Sequence, residues 1–280
     1  MVSLSFQQVD VFSAELHRGN PLAVVVGADG LSDEQMARFA NWTNLSETTF
    51  LLKPTVAGAD YRVRIFTPWQ ELPFAGHPTL GSCHVWLAGG GTPQGGEIVQ
   101  QCSAGLIRIR KRGGRLAFAA PPLVRTGPVE ADVLLRIAEG LALQADAIVA
   151  SQWICNGPPW VAVMLRSRAE VLKVKPDDAT LSGMFVGVVG PWEPARDGGE
   201  AQFEVRGFVP GTSIPEDPVT GSLNAGLAQW LIGSGLAPAS YIARQGTALG
   251  RKGQIYIDQI GLDTWVGGDV VTCIEGVTQF

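Results

Sequence analysis

Three short stretches of this 280-residue chain hold side chains suited to moving a proton or gripping an anion. The first is residues 44–52, where Glu47 stands between the end of a predicted helix and a strand-like run that begins at Thr48. A carboxyl group beside an apolar strand tends to hold its proton more tightly than usual, which suits a general acid/base. On these nine residues alone, a surface glutamate at a strand edge is the commoner arrangement. The second stretch, residues 71–82, sets Gly76-His77-Pro78 before an apolar run, and the third, residues 215–222, sets Asp217-Pro218-Val219-Thr220-Gly221-Ser222 before another. Proline suits the first helical position, so a helix is predicted from Pro78, with His77 beside its N-cap. The first N–H groups of any helix lack intrahelical partners. The amides of Thr79, Leu80 and Gly81, and those of Thr220, Gly221 and Ser222, are therefore expected to form two small anion sites. A carboxylate-bearing substrate would satisfy them. For one segment by itself, Asp217 and Thr220 serving as ordinary helix caps explains the pattern equally well. That alternative weakens when two such starts are expected to face one another.

The elements that must position these residues follow from where charge is missing. Residues 72–96 and 218–243 form charge-free runs of 25 and 26 residues. Each contains Pro, several Gly and polar groups such as His77, Asn224 and Gln229, so neither is a continuous apolar membrane span. Each is predicted as a buried helix, over 78–87 ending at Gly89-Gly90-Gly91 and over 222–232 ending at Gly233. The surroundings repeat as well. Arg64-x-Phe66-x-Pro68 followed by Pro73 recurs as Arg206-x-Phe208-x-Pro210 followed by Pro215, at a constant offset of 142. Residues 20–25 match 158–163 upstream, and 101–104 match 245–248 downstream. Two like halves result, each a set of strands around one buried helix, divided near Pro121-Pro122 into 1–120 and 121–280, with the last strand able to return to the first half. Ser32 and Gln35 form a capping box, Leu31 staples Met36, and that helix should run to about Trp42. Residues 129–141 read as its counterpart in the second half.

Composition removes whole classes of function. Hydrophobic residues make up 46% and charged residues 17%, which excludes disorder. The net charge of −5 gives nucleic acid no basic face. The main basic cluster, Arg108, Arg110, Lys111, Arg112 and Arg115, reads as a hairpin turning at Gly113-Gly114. Four separated cysteines without a C-x-x-C pair fit a reduced interior. Residues 1–10 lack the basic and apolar regions of a signal peptide, so a cytoplasmic location is expected. No phosphate loop, metal-ligand spacing or G-x-S-x-G elbow is present. His84 reads as a satisfied core histidine, and Cys83 as a small hydrophobe.

Taken together, Gln8-Val9-Asp10-Val11-Phe12, Gly19-Asn20-Pro21, Asn44-Leu45-Ser46-Glu47-Thr48, Phe66-Thr67-Pro68 with residues 71–79, and Glu216-Asp217-Pro218-Val219-Thr220-Gly221-Ser222 closely resemble the PhzF-like (phenazine biosynthesis F) family. The resemblance runs through nearly the whole chain in the same order. It implies an α+β, diaminopimelate-epimerase-like fold: two pseudo-symmetric halves, each a β-barrel-like sheet wrapped around a central buried helix, with the active site in the cleft between them. It also implies a cofactor-independent isomerase without a metal, which shifts a proton in a small carboxylated substrate of the dihydro-hydroxyanthranilate kind. Glu47 would be the general acid/base, and Gly76, His77, Asp217, Gly221 and Ser222 would bind the substrate. In related epimerases two cysteines hold the acid and base roles. The corresponding segments here are taken as Gly76-His77 and Asp217-Pro218, so two-thiol chemistry is not expected. An amino-acid racemase or epimerase, or a binding protein without catalysis, are the other readings. The resemblance further implies a homodimer, with no nucleic-acid or membrane partner. Light scattering at micromolar concentration should then return twice the 29.7 kDa chain mass, and a monomeric mass would reject the pairing.

Overall fold

The computed structural model describes residues 1–212 and 214–280 and divides them into two compact units: 1–119 with 267–280, and 120–266. The first unit runs β1 (Ser3–Val11), β2 (Asn20–Val26), α1 (Asp33–Thr43), β3 (Thr48–Leu52), β4 (Tyr61–Phe66), β5 (Glu71–Leu72), α2 (Gly76–Ala88), β6 (Ile98–Cys102), β7 (Gly105–Arg112) and β8 (Arg115–Ala119). The second runs β9 (Arg125–Gly127), α3 (Ala131–Gly140), β10 (Ala150–Cys155), β11 (Trp160–Met164), α4 (Arg168–Lys173), β12 (Phe185–Pro191), α5 (Pro194–Asp197), β13 (Phe203–Phe208), β14 (Glu216–Asp217), α6 (Gly221–Gly233), β15 (Ser240–Gln245) and β16 (Gly253–Ile260). After β17 (Asp263–Gly268) the chain closes with β18 (Val270–Gln279), which belongs to the first unit.

The internal repeat is a repeat of topology. In the first unit β1 pairs antiparallel with β2, β2 parallel with β3, β3 antiparallel with β4, β4 antiparallel with β5 and parallel with β6, and β6 antiparallel with β7. In the second, β10, β11, β12, β13, β14, β15 and β16 repeat that series pairing for pairing. Even the outer neighbour recurs, since β18 pairs with β1 and β9 with β10. Each parallel step needs a crossover, and a helix supplies it. For the first parallel step that helix is α1 in the first unit and α4 in the second; for the second step it is α2 and α6. The counterpart of α1 is therefore α4, and the expectation that residues 129–141 play that part is corrected. The helix there, α3, precedes β10 instead. It does share in covering the same surface, because Ile137 and Leu141 join Val171 over Val163, Val188 and Phe208, as Met36 and Ala40 of α1 cover Val25, Phe50 and Phe66. The staple residue Leu31 packs there too, and the Ser32–Gln35 capping box is formed.

The charge-free runs become α2 and α6, each enclosed by its own sheet. Most of the residues of α2 from Gly76 to Val85 are buried, as are most of α6 from Gly221 to Leu231. Both are free of charged residues and have no distinct polar face, the pattern of a helix enclosed on most sides. Glycine lets each come close to a strand. A Cβ at Gly81 would sit 2.5 Å from Leu22 and 3.0 Å from Val9, and one at Gly226 would sit 2.6 Å from the Ile154 carbonyl oxygen. Gly81 and Gly226 are 145 apart, as are Val9 and Ile154, so the same packing is built twice. No helix among the described residues is long and apolar enough to cross a membrane.

The repeated Arg-x-Phe motif has a structural purpose. Arg64 on β4 makes a bidentate pair with Glu71 on β5 and lies 5.0 Å over the Phe66 ring; Arg206 on β13 does the same with Glu216 on β14 and lies 4.9 Å over Phe208. These arginines hold the short strand that leads into each buried helix. They also correct the offset of 142. Arg64 and Arg206 keep it, but Glu71 and Glu216 are 145 apart, because the second turn is three residues longer. Pro73 thus matches Pro218 rather than Pro215. The basic hairpin forms with Gly113 and Gly114 at φ 58° and 90°, a turn that favours glycine at both places.

The two clamps differ in burial, which sets their worth. Arg206 is nearly buried, and its second arm donates to the carbonyls of Val171 and Val174 at the end of α4; Arg64 reaches instead to the exposed Asp33. Arg206→Met strands the Glu216 carboxylate, only 12% exposed, and should cost about 3 kcal/mol, whereas Arg64→Met should cost about 1 kcal/mol or less. Urea unfolding followed by tryptophan fluorescence distinguishes the two, and equal losses would refute the assignment.

Candidate active site

In the first unit, the chain brings Glu47 and His77 together across 30 positions of sequence. Glu47 lies in the link between α1 and β3, one residue before Thr48 enters the sheet. Its position is prepared by local bonds: Asn44 ends α1 in a left-handed conformation, and the Thr43 and Thr48 hydroxyls bond at 2.8 Å. His77 Nε2 stands 3.3 Å from Glu47 Oε2. Burial pushes the imidazole down to about 3, so the ring is neutral at physiological pH and the contact joins a neutral ring to a carboxyl group. On its other side, His77 Nδ1 lies 3.4 Å from the Asn20 amide nitrogen.

The helix itself begins two residues earlier than the sequence suggests. α2 starts at Gly76 with Ala75 as N-cap, so His77 sits inside the first turn rather than beside the cap. A proline is tolerated anywhere in the first turn, because no donor is needed there. The Thr79 amide already bonds the Ala75 carbonyl, which removes it from the predicted anion site. The donors without a carbonyl one turn back are those of Gly76 and His77.

In the second unit, α6 starts at Gly221 with Thr220 as N-cap. The Thr220 amide is taken by Gln245 Oε1, so it too leaves the predicted set, and Gly221 and Ser222 carry the first amides. Neither helix has a side-chain cap; the Thr220 hydroxyl donates to Asp217 Oδ2 at 2.6 Å instead. Ser222 Oγ accepts from Trp160 Nε1 at 3.0 Å, and its carbonyl from Asn156 Nδ2 at 2.8 Å. The register that relates the halves here is 145. Gly76-His77 therefore corresponds to Gly221-Ser222, and the pairing with Asp217-Pro218 is corrected. His77 and Ser222 hold the same place, the second residue of each buried helix.

Each predicted site residue thus lies at or beside a helix start, with Glu47, Gly76 and His77 in one unit and Asp217, Gly221 and Ser222 in the other. Sequence reasoning passed over Asn20, Trp160 and the buried glutamines. Gln100 donates to Thr79 and Gln245 to Thr220, tying each helix start to a strand. The signal was present in the matched segments around Asn20 and Trp160, whose polar groups stand out among apolar neighbours. Cys83 is fully buried and its thiol is pushed up to about 12, as befits a core residue. His84 is half-buried and bonds Thr272 at 3.0 Å. No cluster of metal-ligating side chains occurs among the described residues. A groove of about 470 Å³ between α1 and β18 is lined by residues that include Phe39, Trp42 and Phe280, and by neither Glu47 nor His77.

Residues 9–276 match the family model for phenazine biosynthesis-like proteins, PhzC-PhzF. The chain is 37% identical over 302 aligned positions to antisense-enhancing sequence 1 of Schizosaccharomyces pombe, covering 99% of each protein. It is 34% identical over 224 positions to trans-2,3-dihydro-3-hydroxyanthranilate isomerase of Pseudomonas chlororaphis, covering 79% of this chain and 77% of that one. A crystal structure of a PhzF-family protein from Enterococcus faecalis superimposes over all of both chains with a TM-score of 0.83 at 24% identity, which shows the diaminopimelate-epimerase-like α+β fold.

The buried, neutral His77 has a consequence for stability. Its folded value near 3 lies below the ordinary 6.5, so between those values the unfolded chain binds a proton that the folded chain refuses. Stability should fall as pH drops from 6.5 toward 3, by up to about 1.4 kcal/mol per unit from this group. His77→Gln should flatten that slope in urea unfolding across the window, and matching slopes would mean that the ring is not held neutral.

Proposed function

This chain belongs to the phenazine biosynthesis-like (PhzC-PhzF) family and is an isomerase of it, and on that premise we propose that it shifts a proton within a small carboxylated substrate of the dihydro-hydroxyanthranilate kind. The observation that carries the reading is Glu47 held 3.3 Å from the neutral, buried His77 at a helix start. Glu47 takes a proton from a ring carbon, the electrons of that C–H bond enter the conjugated system, and the same carboxyl group returns the proton to a different carbon. No atom is gained or lost. The charge that builds up on the substrate is met by neutral donors, namely the helix-start amides, which suits a transition state more anionic than the substrate.

His77, Asp217, Ser222 and the backbone of Gly76 and Gly221 bind and orient that substrate. The pairing of Ser222 with Trp160 gives its hydroxyl a fixed acceptor contact, leaving its own proton to donate. Thiol-based racemisation finds no support, because the second residues of the two helices are His77 and Ser222, and Cys83 lies buried within α2.

Glu47→Gln keeps size and removes the base. With trans-2,3-dihydro-3-hydroxyanthranilate as substrate, kcat should fall by at least roughly 10²-fold with little change in KM, together with loss of deuterium uptake from heavy water. Asp217→Ala should raise KM as well as lower kcat. Dialysis against a chelator should leave turnover unchanged. A Glu47→Gln enzyme with near-normal turnover would assign the proton transfer to another group.

A further inference from the structure

Proton transfer by Glu47 depends on which nitrogen of His77 carries the hydrogen, and a residue outside the proposed catalytic set governs that choice. Asn20 is fully buried, and its amide nitrogen lies 3.4 Å from His77 Nδ1. An amide N–H₂ only donates, so Nδ1 must be the ring's acceptor and the single proton of the neutral imidazole resides on Nε2. That is the nitrogen 3.3 Å from Glu47 Oε2, close to the carboxyl group but not aligned for a hydrogen bond in this structure.

The seat of Asn20 is built to hold it still. Asn20 opens β2 opposite Val11 of β1, and the loop before it is fastened by Asp10 Oδ2, which accepts from the amides of Arg18 and Gly19 at 2.6 and 2.8 Å. Gly19 leaves no room for error, since a Cβ there would lie 2.2 Å from the Val11 carbonyl oxygen. The second unit has a contact of the same kind. Trp160, which opens β11, donates to the side chain of Ser222, the residue matching His77. By strand register Trp160 stands where Leu22 does, two residues beyond Asn20 on the same face, so the longer indole reaches the helix start from a neighbouring place. Each unit thus uses the inner strand to orient the second side chain of its buried helix.

We propose that Asn20 is a positioning residue that locks His77 in its Nε2–H tautomer, so that the ring's single N–H lies on the Glu47 side, where a small turn of the carboxyl group lets it accept that proton and be held for proton transfer. This rests on the proton-shift reading for its effect on rate, but not for its effect on the ring. With a lone pair on Nε2 instead, the ring would turn a second acceptor toward the carboxylate, and the pair would repel.

The test uses the intact protein with ¹⁵N-labelled histidine, the His77 resonances being assigned by comparison with His77→Asn. Wild-type protein at neutral pH should show His77 with Nε2 protonated and Nδ1 bare. Asn20→Asp, which replaces the donor by an acceptor of equal shape, should move the proton to Nδ1. Asn20→Ser, as a smaller second variant, should leave a mixture of tautomers. On trans-2,3-dihydro-3-hydroxyanthranilate, Asn20→Asp should lower kcat by roughly 10- to 100-fold with KM nearly unchanged, the scale of losing a partner that orients a functional imidazole. A wild-type ring protonated on Nδ1, or an Asn20→Asp ring that keeps its proton on Nε2 in a folded protein, would overturn the proposal. If the tautomer shifts as stated but neither protein turns over this substrate, the failure lies with the assigned reaction and not with Asn20.

Discussion

The first amides of a helix have no carbonyl to bond, and in α2 and α6 those amides belong to buried backbone at Gly76 and Gly221. A helix on a protein surface leaves this problem to water. A helix enclosed by its own sheet must solve it with side chains, or present the donors to something that arrives from outside. Here neither helix has a side-chain cap. Bonds to strands do part of the work: Gln245 takes the Thr220 amide, and Gln100 anchors Thr79. The remaining donors make each helix start a place where negative charge is favoured. The chemistry proposed for the chain is the use of that unmet demand.

Holding such a helix start steady requires a firm approach to it. A strand of only two residues, β5 or β14, leads into each helix, and short strands are weakly bound by their own ladders. The bidentate arginine from the neighbouring strand compensates, and the ring of the following phenylalanine fixes the guanidinium plane from the other side. The same arginine then ties the sheet to the crossover helix by whatever that helix offers. In the first unit this is an acidic side chain in its first turn, and in the second the carbonyls at its last turn. The two units share the clamp and differ in its outer partner.

The two helix starts are alike in backbone and unlike in chemistry. One presents His77 with a carboxyl group at its side, and the other presents Ser222 beside an indole N–H. Burial removes the positive charge from His77 and leaves a neutral ring between Asn20 and Glu47. In the function proposed above, the half with Glu47 supplies the base, and the other half supplies a hydroxyl donor. On that proposal the two copies of one architecture divide the labour, proton transfer falling to one and positioning to the other.

Much of this was legible in the residues alone. Charge-free runs over 72–96 and 218–243 point to a buried helix in each, since their prolines, glycines and polar groups exclude a membrane span. The repeated Arg-x-Phe marks matching strands because alternation in a strand is local. The capping box at Ser32 and the Gly113-Gly114 turn were visible for the same reason, as each depends on residues within a few positions of one another. What lay beyond reach were relations across long stretches of chain. Glu47 meets His77 over 30 positions and Asn20 meets it over 57, and nothing in composition or spacing encodes those contacts. The change of register from 142 to 145 was also hidden. Pro73 and Pro215 match as letters, but the bonds of Arg64 and Arg206 decide that Glu71 corresponds to Glu216. Likewise the counterpart of α1 was settled by strand direction, because only a helix between parallel strands can be the crossover. Local physics is written in neighbouring residues, whereas the partner of a buried polar group is chosen by whichever distant strand the completed sheet sets beside it.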